Sequence, residues 1–215
     1  MRRTATTGNA ILGLLALRPS WSTWEITQQL RRNMRFFWPR AESRIYDEAR
    51  ALVDRGLASS SVTHTGRRPK TTYNITAAGR RHLKKWHATQ PRPTTLECEP
   101  VLRILLGRLA EPESLFESVA QVRRDALDII AVGRVVAAEY AAGTAPFQDD
   151  VAYRSLVFDF LSSHATAMLD WADRADIALS EMSSQSTEEA VVAGQRRVAA
   201  AAARLQVGNG HDAWT

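Results

Sequence analysis

Cysteine is nearly absent from these 215 residues. Cys98 stands alone, so no intramolecular disulfide can form, and no Cys/His grouping has the spacing of a structural zinc site. Lysine is almost as scarce, with Lys70, Lys84 and Lys85 set against 25 arginines. Long apolar runs are missing too, since nothing approaches the roughly 20 residues of a membrane span. The stretch Ala10 to Leu17 after Arg2-Arg3 imitates a short signal peptide. It is only eight residues long and closes on Arg18-Pro19 without a small-x-small cleavage site, so it is expected to be a core helix of a cytoplasmic protein.

The usual marks of catalysis are also missing. No phosphate-binding glycine loop or nucleophile-elbow pattern occurs. His82 and His87 are five residues apart, a poor spacing for joint ligation, and the aspartates from Asp149 to Asp176 have no histidine partners at metal spacing. Cys98 lies between Glu97 and Glu99, charges that disfavour a thiolate. Neither an enzyme nor a resident cofactor or metal is expected.

What is present is an ordinary 45 % hydrophobic fraction and a net charge of +5 that conceals a division. Residues 1–92 carry +13, and residues 93–215 carry −8. A half that basic suits a polyanion, nucleic acid ahead of a membrane surface. Arginine suits bidentate contact with phosphate or guanine, although a biased genomic composition yields the same excess.

Along the chain, the spacing predicts a mainly α protein. Thr7 can cap a helix over about 8–18, Ser22 or Thr23 a second over about 23–33 with Ile26 and Leu30 inward, and a third runs over about 39–55 to a stop at Gly56. Two β-prone runs, 57–63 and 70–75, flank a Gly/Pro turn and read as a hairpin. Thr76 then caps a fourth helix over about 77–88, with Leu83 and Trp86 inward. Helices over about 97–109, 112–142 and 149–181 follow. An Ala-rich helix over 188–205, with few large anchors, leads to a frayed tail. The expected divisions are a basic 1–92, a helical 96–182, and 183–215 for the last helix and tail.

Three helices followed by a basic-tipped hairpin is the plan of a winged helix-turn-helix. On the third helix Ile45, Ala49, Leu52 and Val53 form one stripe, and Arg40, Ser43, Arg44 and Asp47 share the opposite face near the amino-terminal end. Guanidinium and hydroxyl groups there complement base edges and phosphates, though any surface helix has a polar face. Asp47 opposes phosphate unless Arg44 or Arg50 neutralises it or it accepts from a cytosine. Arg67, Arg68 and Lys70 crowd the turn around Gly66 and Pro69, which suits a minor groove or phosphates as well as an ordinary solvated loop.

Several segments resemble the PadR-like transcriptional regulators. Ile11-Leu12-Gly13-Leu14-Leu15 with Ser22-Thr23-Trp24-Glu25-Ile26 is similar to the family's opening helix and its Ser-Gly-Tyr-Asp/Glu-Ile segment. Phe37-Trp38 with Ser43-Arg44-Ile45-Tyr46, Leu52 through Gly56-Leu57, and Gly66 to Lys70 with Tyr73 to Arg80 resemble its recognition helix, helix end and wing. The likeness covers about residues 8–88. Thr23 replaces the usual Gly, Trp24 the usual Tyr, and Asp47 stands where Pro is common, so no operator preference carries over.

The resemblance implies a homodimeric repressor, an N-terminal winged helix followed by C-terminal dimerisation helices, bound to a pseudo-palindromic double-stranded operator. It places Ser43, Arg44 and Tyr46 toward DNA, although Tyr46 also borders the buried stripe. A small aromatic or drug-like effector is implied near the last long helix. There Trp171 shares an apolar stripe with Val157, Phe160, Leu161, His164, Met168 and Ala175, which equally suits a plain core. The contrasting readings are a protein-interaction module and a non-specific DNA-coating protein.

Overall fold

The computed structural model describes residues 6–39, 41–65 and 68–207, and divides into two compact units, Met1–Thr95 and Leu96–Thr215. In the first, α1 (Thr6–Leu17) is followed by a two-residue strand β1 (Trp21–Ser22), α2 (Thr23–Met34), α3 (Glu42–Asp54), the hairpin β2 (Ala58–Thr65) and β3 (Arg68–Ile75), and α4 (Ala77–His87). The sheet is antiparallel in the order β1-β3-β2. Trp21 pairs with Tyr73, and Ala58 to Thr65 pair with Ile75 back to Arg68. This is a winged helix-turn-helix.

Ile11, Leu12 and Leu15 of α1, Ile26 of α2, and Ile45 and Leu52 of α3 are all fully buried, together with Trp21. Burying an aliphatic side chain of that size stabilises by about 1.5–3 kcal/mol. Trp21 keeps its polar end satisfied, because its Nε1 donates to the Arg18 carbonyl at 3.1 Å.

Local chemistry fixes the ends. At α2 the Ser22 hydroxyl accepts from the Glu25 amide, and Glu25 accepts in return from the Ser22 amide at 2.8 Å, a reciprocal capping box. Partial burial alone would raise the Glu25 carboxyl. The Ser22 hydroxyl and amide and the Arg18 guanidinium together outweigh it and bring the pKa down to about 2. At the end of α3, Gly56 takes φ +67°, the left-handed conformation that closes a helix, and Leu57 donates to the Leu52 carbonyl at 2.9 Å. Thr76 caps α4 by accepting from the Gly79 amide at 3.0 Å while its hydroxyl donates to the Gly56 carbonyl at 2.8 Å. Gly79 sits where a Cβ would come within 2.1 Å of the Leu57 carbonyl oxygen. Only glycine lets α4 lie this close to the start of the wing.

Three details differ from the sequence reading. Thr7 is a buried residue inside α1, which starts at Thr6, and is not its cap. Helix α3 starts at Glu42, because the chain turns through 35–38 before Pro39. Trp86 is exposed, since Gly79 and not an aromatic makes the close approach of α4.

The second unit is helical. A short α5 (Glu99–Leu105) and a 3-10 turn over 107–109 lead to α6 (Pro112–Ala141), α7 (Val151–Met182) and α8 (Thr187–Val207). Helices α6 and α7 pack antiparallel. Val119, Val122, Ala126 and Ile129 face the seam from α6, and Ala165 and Ala172 from α7. Arg123 bridges Asp173 and Asp176 across it. The seam of α7 thus runs through small residues seven apart. Of the predicted apolar stripe, Val157 and Phe160 are exposed and the rest half-buried beside the seam, because alanines permit the closest approach of the two backbones. Among the described residues no helix is long and apolar enough to cross a membrane.

Candidate nucleic-acid interface

The candidate interface begins with the amphipathic α3. Ile45, Ala49 and Leu52 anchor one side in the core, which forces Ser43, Arg44, Asp47 and Arg50 outward into solvent. Tyr46 is 37 % exposed, so its ring borders the core while its face reaches solvent. The helix opens on Ala41, whose side chain makes no cap, and the first turn carries Glu42. Glu42 is held by Arg31 at 2.8 Å, which ties the end of α2 to the start of α3.

The wing stands on β3. The register sets Thr63 opposite Lys70 and Thr65 opposite Arg68. Ser61 and Thr72 share a hydroxyl–hydroxyl hydrogen bond of 2.9 Å across the strands below it. The half-exposed ammonium of Lys70 lies 3.9 Å from Glu25, on the side of the wing that faces the first turn of α2. Arg40 and Arg67 lie outside the described residues, as does the side chain of Arg68. Of the seven predicted DNA-facing residues, the fold therefore sets Ser43, Arg44 and Tyr46 together on α3. It sets Lys70 on the wing beside Glu25.

Sequence reasoning missed the part of the surface centred on the carboxyl end of α2. Arg31, Arg32 and Arg35 fall there, with no acidic residue among residues 31–39. Trp24 is largely exposed on the first turn of the same helix. The arginine cluster was legible as local charge, but its link to α3 through Glu42 depends on tertiary geometry.

In the second unit, His164, Met168 and Trp171 lie half-buried along α7. The His164 ring stacks on Phe160 with the planes 7° apart and the centroids 6.4 Å apart. Among the described residues no group of three or more His, Cys, Asp or Glu side chains could hold a metal ion.

Comparison with known proteins places this geometry. The model of the Transcriptional regulator PadR-like family matches residues 11–85. The Negative transcriptional regulator PadR of Bacillus subtilis is 32 % identical over 120 residues, which span 54 % of this chain and 65 % of that protein. The same Bacillus subtilis protein, solved in complex with operator DNA, superposes with a TM-score of 0.63 at 22 % identity, covering 81 % of this chain and 99 % of that one. Its structure with p-coumaric acid gives 0.51 at 20 % identity, with 80 % and 99 % covered. A PadR-like transcriptional regulator from Bacillus cereus gives 0.67 at 18 % identity, with 82 % and 99 % covered. Residues 11–85, which hold the helical core, the wing and most of α4, are thus similar to the PadR-like family of transcriptional regulators.

Proposed function

We propose that this protein is a sequence-specific DNA-binding transcriptional regulator that acts in the cytoplasm as a homodimeric repressor and is released by a small-molecule effector. The observation that carries the reading is the outward face of α3, where Ser43 and Arg44 stand in solvent and Tyr46 reaches it from the edge of the core formed by Ile45, Ala49 and Leu52. In this reading α3 enters a major groove, and Arg40 extends the contact at its amino-terminal end. Arg67, Arg68 and Lys70 bring the wing against the adjoining backbone or minor groove. The +13 carried by residues 1–92 favours phosphate, and the −8 of residues 93–215 keeps the helical unit away from it.

Dimerisation is proposed for the second unit. Leu105 and Leu109 of that unit are 78 % and 95 % exposed, and Leu96 and Leu106 are exposed with them. Apolar patches of this kind mark association surfaces. A two-fold dimer would set two recognition helices on a pseudo-palindromic operator. The Bacillus subtilis relative was solved with operator DNA and with p-coumaric acid, which supports a repressor that answers to a small aromatic molecule. The half-buried row of His164, Met168 and Trp171 is the proposed effector contact in the second unit, with the indole offering a stacking face.

A gel-shift titration with DNA from the protein's own promoter, set against a scrambled duplex, tests the reading. Selective binding is expected. Equal affinity for both duplexes would point to non-specific coating, and absence of binding at low salt would leave a protein-interaction module.

A further inference from the structure

The positive charge of the first unit has a second centre, on α4. No aspartate or glutamate occurs between Asp54 and Glu97, and within that interval α4 carries Arg80, Arg81, Lys84 and Lys85. All four are exposed. Among the described residues none of them meets a carboxylate, whereas Arg18, Arg31, Arg55 and Lys70 of the same unit do, at 2.7, 2.8, 3.6 and 3.9 Å. Arg80 and Lys84, and Arg81 and Lys85, stand four residues apart, so like charges are neighbours along the helix and destabilise it. A polyanion laid along them relieves that repulsion.

The fold sets this patch away from the reading end of α3. Helix α4 packs on α1, where His82 meets Asn9 at 3.0 Å, and α1 packs in turn on α3. The Thr76 cap ties the start of α4 to Gly56, just past the carboxyl end of α3. Arg44 lies near the other end of α3, roughly 15 Å away along its axis at 1.5 Å per residue. The cations of α4 and the residues of the reading face thus look out from different faces of the unit. A helix lying in a bilayer surface needs a free apolar face. On α4 that face is taken up within the unit by Gly79, His82 and Leu83, which leaves cations outward. A duplex backbone asks for nothing more. We propose that the outward face of α4 binds the phosphate backbone of a second DNA duplex, so that a protein seated on one duplex through α3 bridges to another. Arg80, Arg81, Lys84 and Lys85 make the contact without regard to base sequence. The seat on the first duplex rests on the function proposed above, and the α4 surface on its own charge and place.

A capture experiment tests the bridge. Full-length protein is bound to an immobilised promoter duplex, washed, and offered a fluorescent duplex of scrambled sequence. The wild type should retain the second duplex. Its affinity for that duplex, per bound protein, should fall about a hundredfold between 50 and 200 mM salt, the dependence of about four phosphate contacts. The combined variant Arg80→Gln, Arg81→Gln, Lys84→Gln and Lys85→Gln should keep its seat on the promoter and lose capture about tenfold or more. Glutamine is a good helix former and removes the like-charge pairs, so the unfolding midpoint should not drop. A matched variant, Arg108→Gln, Arg134→Gln, Arg174→Gln and Arg204→Gln, loses the same charge from the second unit and should capture as the wild type does. No capture by the wild type, undiminished capture by the α4 variant, or loss of capture in both variants would each overturn the proposal. So would an α4 variant whose promoter affinity falls as far as its capture, since one duplex would then span both faces. Binding of phosphatidylglycerol vesicles in place of the labelled duplex would make the patch a membrane surface and overturn it too. If promoter and scrambled duplexes seat the protein equally well, the reading of α3 fails, and capture lost only in the α4 variant still upholds the bridge.

Discussion

The two units bury their apolar residues in opposite ways. The winged helix closes a core of Ile11, Leu12, Leu15, Ile26, Ile45 and Leu52 within about ninety residues, held at its seams by caps and one glycine. The helical unit buries a seam of valine, isoleucine and alanine between α6 and α7 and leaves leucines of α5 and the following turn in solvent. Large side chains at the centre make a unit that is complete by itself. Large side chains at the periphery leave a surface that, in the proposed homodimer, a second copy covers. The division of charge follows the same line, since the self-contained unit is the basic one.

The largest expected effect comes from breaking the surface of the second unit. The double substitution Leu105→Asp and Leu109→Asp should halve the mass measured by sedimentation. It should also weaken operator binding by roughly a hundredfold or more, the gain usual for two linked modules. A dimer of unchanged mass would place the contact elsewhere.

The next largest effect tests the closed core of the first unit. Gly79→Ala forces a Cβ against a backbone carbonyl, and a loss of about 3 kcal/mol in chemical denaturation is expected. The same change at Gly194 of α8, where a Cβ meets open space, should be neutral or slightly stabilising.

A smaller effect lies in the α2 cap. The Glu25 carboxyl sits at about 2 in the folded protein against 4.5 unperturbed, so its contribution is complete above about pH 4.5 and is lost as the pH falls toward 2. Glu25→Gln should flatten the stability profile across that window, and Ser22→Ala should cost about 1 kcal/mol at neutral pH. An unaltered acid limb in the Gln variant would contradict the assignment.

The smallest effect belongs to α8. Val198 is exposed on its outer face, and Val198→Ser should change stability by less than about 0.5 kcal/mol. A larger loss would reveal that a partner covers this helix in solution.

Much of the winged helix was legible because its signals are local. Ser22 with Glu25, Gly56 and Thr76 announce helix ends over three or four residues, and the 3- and 4-residue spacing of Ile45, Ala49 and Leu52 fixes which face of α3 looks outward. The short strand β1 escaped notice because two residues carry no period; Trp21 and Ser22 become a strand only by pairing with Tyr73 and Thr72. Lys70 read as a wing cation, yet its partner Glu25 is forty-five positions earlier in the chain. On α7 the 3- and 4-residue spacing marked an apolar stripe through Phe160 and Trp171, whereas the approach of α6 buries Ala165 and Ala172 beside it.

The central claim is that the exposed face of α3 reads a base sequence. The most direct test is a fluorescence-anisotropy titration of the wild type and Arg44→Ala on promoter and scrambled duplexes, repeated across salt concentrations. The wild type should prefer the promoter. Arg44→Ala should lose about 1–3 kcal/mol of that preference while keeping most of its salt-dependent binding to scrambled DNA. If Arg44→Ala discriminates between the two duplexes as well as the wild type does, the assignment of α3 as the reading helix is wrong.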